Sequence, residues 1–173
     1  CKHMSTKQKL FSHFQSKNMK LPNRIVMAPM TRNFSPNNVP GSDVVSYYRR
    51  RAQGGVGLII TEGTCVNHIA SNCYPNVPYI HGEGSINGWS NVVDAVHDVG
   101  GQIAAQLWHV GAVRKMGMPP NPEVNGYGPS GMNVPGKQNR EIMTLKDIDL
   151  VINAFVEAAI TAKSLGFDAI ELH

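Results

Sequence analysis

The chain has 173 residues, 42% of them hydrophobic and 16% charged, with a formal net charge of +4. That composition supplies a packed core and excludes disordered, collagen-like and low-complexity chains. No apolar run reaches the ~18 residues needed to cross a bilayer, so no membrane partner is expected. The basic residues are scattered. Their one run, Arg49 to Arg51, sits in a helical pattern beside Tyr47 and Tyr48, where a solvated helix face is expected and a nucleic-acid surface is not. Cys1, Cys65 and Cys73 share no CxxC spacing, which fits a reducing cytoplasm better than a disulfide framework. The start, Cys-Lys-His-Met, lacks the apolar stretch of a signal peptide, and residues 1–3 read as a cloning remnant before Met4.

In chain order, Leu10 to Pro22 reads as a short hairpin turning near Lys17 and Asn18, and Ile25 to Ala28 as a short apolar strand. Ser42 is placed to cap a helix carrying Val45, Tyr48 and Ala52, which Gly54 and Gly55 stop. Leu58 to Ile60 forms the second strand, and Trp89, Val92, Val93 and Val96 then recur at helical spacing up to Gly100 and Gly101. Ile103 to Leu107 is the third strand. Thr144 with Asp147 resembles a capping box opening a helix whose face holds Ile148, Val151, Phe155, Ala158 and Ala162, closed by Gly166. Ala169 to Leu172 is the fourth strand. Two long loops, Thr64 to Ser85 and Trp108 to Met143, follow strand C-termini, the end at which parallel α/β folds carry their chemistry.

This rhythm suits either a doubly wound sheet or a (β/α)8 TIM barrel. No GxGxxG or GxxxxGKS/T motif follows the first strand, where Ala28-Pro29-Met30-Thr31 stands instead, and this argues against a dinucleotide fold. Four strands are expected to be half of a barrel that needs roughly 250 residues, with the hairpin plugging its bottom. Thr31, Glu62, Gln106 and His173 each stand at or just beyond the C-terminal end of one strand. Strand alternation puts Ala169, Glu171 and His173 on one side and Ile170 and Leu172 toward the helices. Four polar side chains from four strands would thus meet at one mouth, as barrel enzymes build their sites. Each alone has a structural reading: Thr31 as a turn cap, Gln106 as a satisfied core amide, Trp108 as core filling. Glu62 and Glu171 need a cationic partner, for which Arg24 is a candidate. The histidines show no HExxH or His-Cys spacing, so no metal is expected. No GxSxG elbow is present, and Cys65 lacks a nucleophile's motif.

Four segments together resemble a known family, the old yellow enzymes, or NADH:flavin oxidoreductases: Asn23 to Arg32 (NRIVMAPMTR), Gly55 to Thr64 (GVGLIITEGT), Gly101 to His109 (GQIAAQLWH) and Gly166 to His173 (GFDAIELH). The resemblance implies that residues 1–173 are the N-terminal half of a single FMN-binding TIM-barrel domain, with FMN lying across the C-terminal mouth. By position it assigns Pro29 and Met30 to backbone contacts with the flavin ring and the Thr31 hydroxyl to flavin O4. It gives the backbone of Gly63 to the ring's polar edge and the Gln106 amide to its pyrimidine side. Trp108 and Thr31 would line the substrate side. His173 would be the catalytic donor to the substrate carbonyl oxygen, the first of a His/His or His/Asn pair.

The implied reaction is ping-pong. NADH or NADPH reduces the flavin at N5, and the hydride then passes to the C=C bond of an α,β-unsaturated carbonyl compound, the expected small-molecule partner. In the family the second pair member lies three residues after the first and a proton-donating tyrosine two further on, positions beyond 173, as are the strands whose loops grip the FMN phosphate. Gly63 stands where many relatives have alanine, and Thr31 places the chain with the threonine branch of the family. The alternative is a catalytically silent half-barrel or association module, a homo-oligomer joined through unpaired sheet edges. A relative acting on amines or dienoyl-CoA esters is disfavoured by the absence of an iron–sulfur cysteine run.

Overall fold

The computed structural model describes residues 6–173, so Cys1 and the expected cloning remnant lie outside the described residues. After helix α1 (Thr6–Leu10), the chain forms strands β1 (Phe14–Gln15), β2 (Lys20–Leu21) and β3 (Val26–Met27). There follow α2 (Ser42–Gln53), β4 (Leu58–Cys65), α3 (Glu83–His97) and β5 (Ile103–Trp108). Beyond β5 come β6 (Tyr127–Gly128), β7 (Met132–Val134), β8 (Lys137–Gln138) and β9 (Glu141–Ile142), then α4 (Leu145–Ser164) and β10 (Ala169–Leu172). The main sheet is parallel with order β10-β5-β4-β3.

Each strand is therefore added beside its predecessor, with a helix between. A doubly wound sheet reverses direction at a switch point and covers both faces with helices. Here α2, α3 and α4 all lie on one face. Val44, Tyr48 and Ala52 of α2, Trp89, Val92, Val93 and Val96 of α3, and Ala154, Ala158 and Ala162 of α4 share one core with Ile59, Ile103, Ala105 and Leu107. The alternate residues Leu58 and Ala104 face the other way, onto Leu21 of the hairpin, with Phe14, Met19, Ile60 and Ala169 packed around them. The result is a four-strand arc of a (β/α)8 barrel whose inner face is stoppered at its N-terminal end. Gln102 secures the stopper by donating to the Lys20 carbonyl at 2.8 Å.

Several boundaries differ from expectation. The hairpin turn is where it was placed, with Ser16 N–H bonded to the Met19 carbonyl, but Leu10 ends a helix and does not open the hairpin. Gly41, not Ser42, is the N-cap of α2, and no side chain caps it. The buried stripe of that helix runs through Val44, with Val45 only partly covered. β4 extends through Thr64 to Cys65, and β5 includes Trp108. The second long loop carries two small ribbons, β6 with β9 and β7 with β8.

The capping box of α4 is complete: Asp147 N–H donates to Thr144 Oγ1 at 3.2 Å, and Thr144 N–H donates to Asp147 Oδ2 at 2.8 Å. Such a cap contributes about 1 kcal/mol, and these bonds hold the Asp147 carboxyl below its usual range. Gly166 closes the helix at φ +86°, a left-handed conformation that favours glycine. Ile170 and Leu172 point to the helix side as their alternation requires, where they line an open apolar trough of about 620 Å³ with Val151 and Phe155. Among the described residues, no helix is long and apolar enough to cross a membrane.

Candidate active site

A single irregularity in β4 determines what faces the barrel interior at its C-terminal end. Ile60 pairs with Ala104 and Gly63 with Gln106, so Thr61 and Glu62 together stand opposite Ala105. This bulge reverses the inward–outward alternation of the strand. Gly63 turns inward, beside Gln106, which Glu171 flanks on its other side. Glu62 is sent to the helix side, so it does not join the other strand-tip residues at the mouth. Thr61 Oγ1 satisfies the extra backbone by accepting from Gln106 N–H at 3.1 Å and donating to the Glu62 carbonyl at 2.8 Å.

Glu62 is fully buried, and its partner is Arg32, at 3.3 Å, not Arg24. Tyr48 donates to Glu62 Oε2 at 3.0 Å and accepts from Glu62 N–H at 2.9 Å. Burial pushes the Glu62 carboxyl upward, while Arg32 and Tyr48 pull it down. The Arg32 guanidinium lies 3.7 Å from the Tyr47 ring centroid. Arg24 instead bonds Ser12 Oγ and the His13 carbonyl and lies over Phe14. Glu171 Oε2 is buried with no partner among the described residues. The pair Arg32–Glu62 therefore clamps the chain one residue beyond Thr31 to the residue before Gly63.

The inner face continues through Gln106 to Trp108. Gln106 is 4% exposed, yet its side-chain amide makes no hydrogen bond among the described residues, in contrast to its backbone, held by Thr61 and Thr64. Trp108 stacks on His173 with centroids 6.4 Å apart and planes at 27°, and Tyr74 stands 5.9 Å away. These three rings, with His109, Val110 and Val113, line a hollow of about 260 Å³. His173 is fixed by its backbone, which donates to the Leu107 carbonyl at 2.8 Å and accepts from His109 N–H at 3.1 Å. Pro29, Met30 and Thr31 follow β3 at the same end of the sheet. Their backbone forms no hydrogen bond, and the exposed Thr31 hydroxyl has no partner among the described residues. The structure thus gathers Gly63, Gln106, Trp108 and His173 on one inner face, with 29–31 at the neighbouring strand's tip.

Residues that sequence reasoning passed over support this end. Arg114 is fully buried without a carboxylate and donates to the carbonyls of Asn72, Met118, Pro119, Asn121 and Val124, so it gathers the long loop around one guanidinium. Cys65 and Cys73 are buried free thiols, and burial pushes Cys65 up to about 12, as expected of an inert cysteine.

His68 and His109 tie the loops after β4 and β5 together. Gly111 N–H donates to His109 Nδ1 at 3.0 Å, so His109 carries its proton on Nε2 and donates it to His68 Nδ1 at 2.9 Å. Burial, reinforced by His68, lowers His109 to about 4, and burial lowers His68 too, against the pull of Asp147. Tyr127 covers the His68 ring edge-on. The fold favours the neutral form of both rings, so below about pH 6.5 the unfolded chain takes up these protons first. Stability is expected to fall from about pH 6.5 to 4, by at most about 3 kcal/mol for His109, and then to level off with respect to that group. Urea midpoints measured across this range should flatten in His109→Asn; an unaltered slope would show that other groups carry the acid sensitivity.

The residues at this end fit a flavin. An inward-facing amide that makes no hydrogen bond among the described residues, free backbone at 29–31 and a glycine in register with the amide offer the donors, acceptors and close backbone that the polar edge of an isoalloxazine requires. This is the arrangement of a flavin oxidoreductase barrel. The NADH:flavin oxidoreductase / NADH oxidase family matches residues 9–173, and the chain belongs to it as an N-terminal region of the old yellow enzyme type. It is 36% identical to 12-oxophytodienoate reductase 7 of Oryza sativa subsp. japonica over 180 residues, covering 95% of this chain and 44% of that protein. Identity to 12-oxophytodienoate reductase 2 of Arabidopsis thaliana is 31% over 179 residues, 95% of this chain and 46% of that one. Morphinone reductase in complex with tetrahydroNAD superposes with a TM-score of 0.85 at 34% identity, covering 95% of this chain and 48% of that one. The old yellow enzyme homologue from Zymomonas mobilis gives 0.81 at 30% identity, covering 95% and 48%. The chain spans less than half the length of these relatives.

Proposed function

We propose that residues 1–173 form the N-terminal half of a single FMN-binding barrel domain, and that the whole protein is an NAD(P)H-dependent oxidoreductase acting on the C=C bond of α,β-unsaturated carbonyl compounds. The observation that carries this reading is the inward row of Gly63, Gln106, Trp108 and His173 at the C-terminal end of the sheet, the last two of which line a hollow there. FMN, when bound, supplies a hydride carrier between the nicotinamide and the unsaturated carbonyl, each using the same space in turn. Pro29, Met30 and Gly63 would hold its ring by backbone, Thr31 by its hydroxyl and Gln106 by its amide. His173 orients a carbonyl oxygen by donating to it, and its donor gains strength as negative charge develops there. Trp108 and Tyr74 give that hollow an aromatic wall beside His173. The two buried thiols support a reducing, cytoplasmic setting.

Adding FMN to the purified chain tests the assignment of these residues. A shifted and structured visible band, lost in Gln106→Ala, is the expected result. A spectrum identical to that of free FMN would withdraw flavin binding from this chain and favour the silent association module.

A further inference from the structure

Trp108 is held in place by two residues of β4 that the flavin reading leaves without a task for the substrate. Its indole N–H, the only polar group of the side chain, donates to Cys65 Sγ at 2.9 Å, and Cys65 is its register partner across the parallel pair. Two residues back along the same inward row, Gly63 leaves room for the ring. A Cβ there would lie 2.3 Å from Trp108 Cε3 and 2.4 Å from Cδ2, inside the contact distance of any real side chain. His173 stacks at 6.4 Å and Tyr74 lies 5.9 Å away. Cys65 is completely buried and Trp108 only 8% exposed, so the indole N–H has no solvent to turn to, and a buried donor without an acceptor is costly. The thiol, which burial keeps protonated, accepts through a neutral sulfur.

We propose that Cys65 is a positioning residue which, with Gly63, seats the Trp108 indole as one wall of the carbonyl-binding hollow and so limits the shape of substrate admitted beside His173. The proposal deepens the functional reading above and rests on it for the word substrate; the seat itself stands on contacts within the chain. It also accounts for the glycine at position 63: alanine there is incompatible with this orientation of the indole.

Two readouts test it. In the chain labelled with ¹⁵N at the indole nitrogens, Trp89 serves as the internal reference, because its Nε1–H bonds the Tyr79 carbonyl at 2.9 Å. Cys65→Val removes the acceptor and adds about one methyl group. It should shift the Trp108 indole resonance and speed its hydrogen exchange up to about tenfold, the worth of one hydrogen bond, with Trp89 unmoved. Cys65→Ser should restore protection, and Gly63→Ala should displace the Trp108 resonance alone. In the FMN-loaded enzyme, Cys65→Val should raise KM for 2-cyclohexenone severalfold with kcat nearly unchanged. An unmoved Trp108 resonance in Cys65→Val overturns the seat, and an unmoved KM overturns its role in substrate selection. If FMN does not bind at all, the functional reading fails, while the indole measurements still decide whether Cys65 positions Trp108.

Discussion

Glu62→Ala is expected to destabilise the chain by about 3–5 kcal/mol, the range for removing one partner of a buried ion pair. The side chain has no solvent exposure, and its loss strands two groups at once: the Arg32 guanidinium, 15% exposed, and the Tyr48 hydroxyl, which sits in the helix–sheet core beside Trp89. Glu62→Gln should cost less. The amide oxygen can still accept from Tyr48, and the burial that pushes the carboxyl upward no longer opposes a charge. Tyr48→Phe should lie between them, since it removes the donor to Oε2 and the acceptor for Glu62 N–H together. Urea unfolding of the three variants at neutral pH orders them. Equal losses in Glu62→Ala and Glu62→Gln would mean that charge, not hydrogen bonding, holds this clamp. Because the clamp flanks Thr31 and Gly63, the same variants should also weaken FMN binding to the chain.

Legibility from sequence followed the range of the interaction involved. The capping box at Thr144 and Asp147 is a three-residue affair, and it was read correctly because nothing outside that turn decides it. Helical faces such as Trp89, Val92, Val93 and Val96 were equally plain, since 3.6-residue periodicity is local. The bulge in β4 was not legible. Leu58 to Cys65 reads as an unbroken strand, and only pairing with β5 reveals that Thr61 and Glu62 share one partner position. That one inserted residue turned Glu62 from the mouth to the helices and Gly63 from the helices to the mouth. For the same reason Arg24 was the wrong cation: proximity to β3 in sequence favoured it, whereas the bulge aims the carboxylate at Arg32. Arg114 was missed because five carbonyl acceptors leave no mark in a sequence, as a carboxylate would. The small ribbons between Tyr127 and Ile142 are too short for any alternation to show. Gln106, Trp108 and His173 share one inner face because alternation along β5 and β10 is regular and their register fixes the row.

His173→Ala is the second large effect. In the FMN-loaded enzyme it should slow reduction of an unsaturated carbonyl compound about 10²–10³-fold, the loss that follows removal of one oxyanion donor. Flavin bleaching by NADH should remain nearly intact, because the nicotinamide carries no developing oxyanion. His173 stacks on Trp108 and is tied by backbone to Leu107 and His109, so the substitution removes a ring without releasing the strand that bears it. A stability measurement on the variant separates the two consequences: thermal unfolding should shift little, since the side chain is exposed and makes no hydrogen bond of its own among the described residues. Comparison of the two half-reactions by stopped-flow absorbance is then decisive. Loss confined to the carbonyl half-reaction places the donor at the substrate oxygen, whereas equal loss in both would mean that His173 acts by shaping the common hollow through its stack with Trp108. Asparagine distinguishes these further, for it retains a donor but no aromatic face: partial recovery in His173→Asn supports donation, and none supports packing.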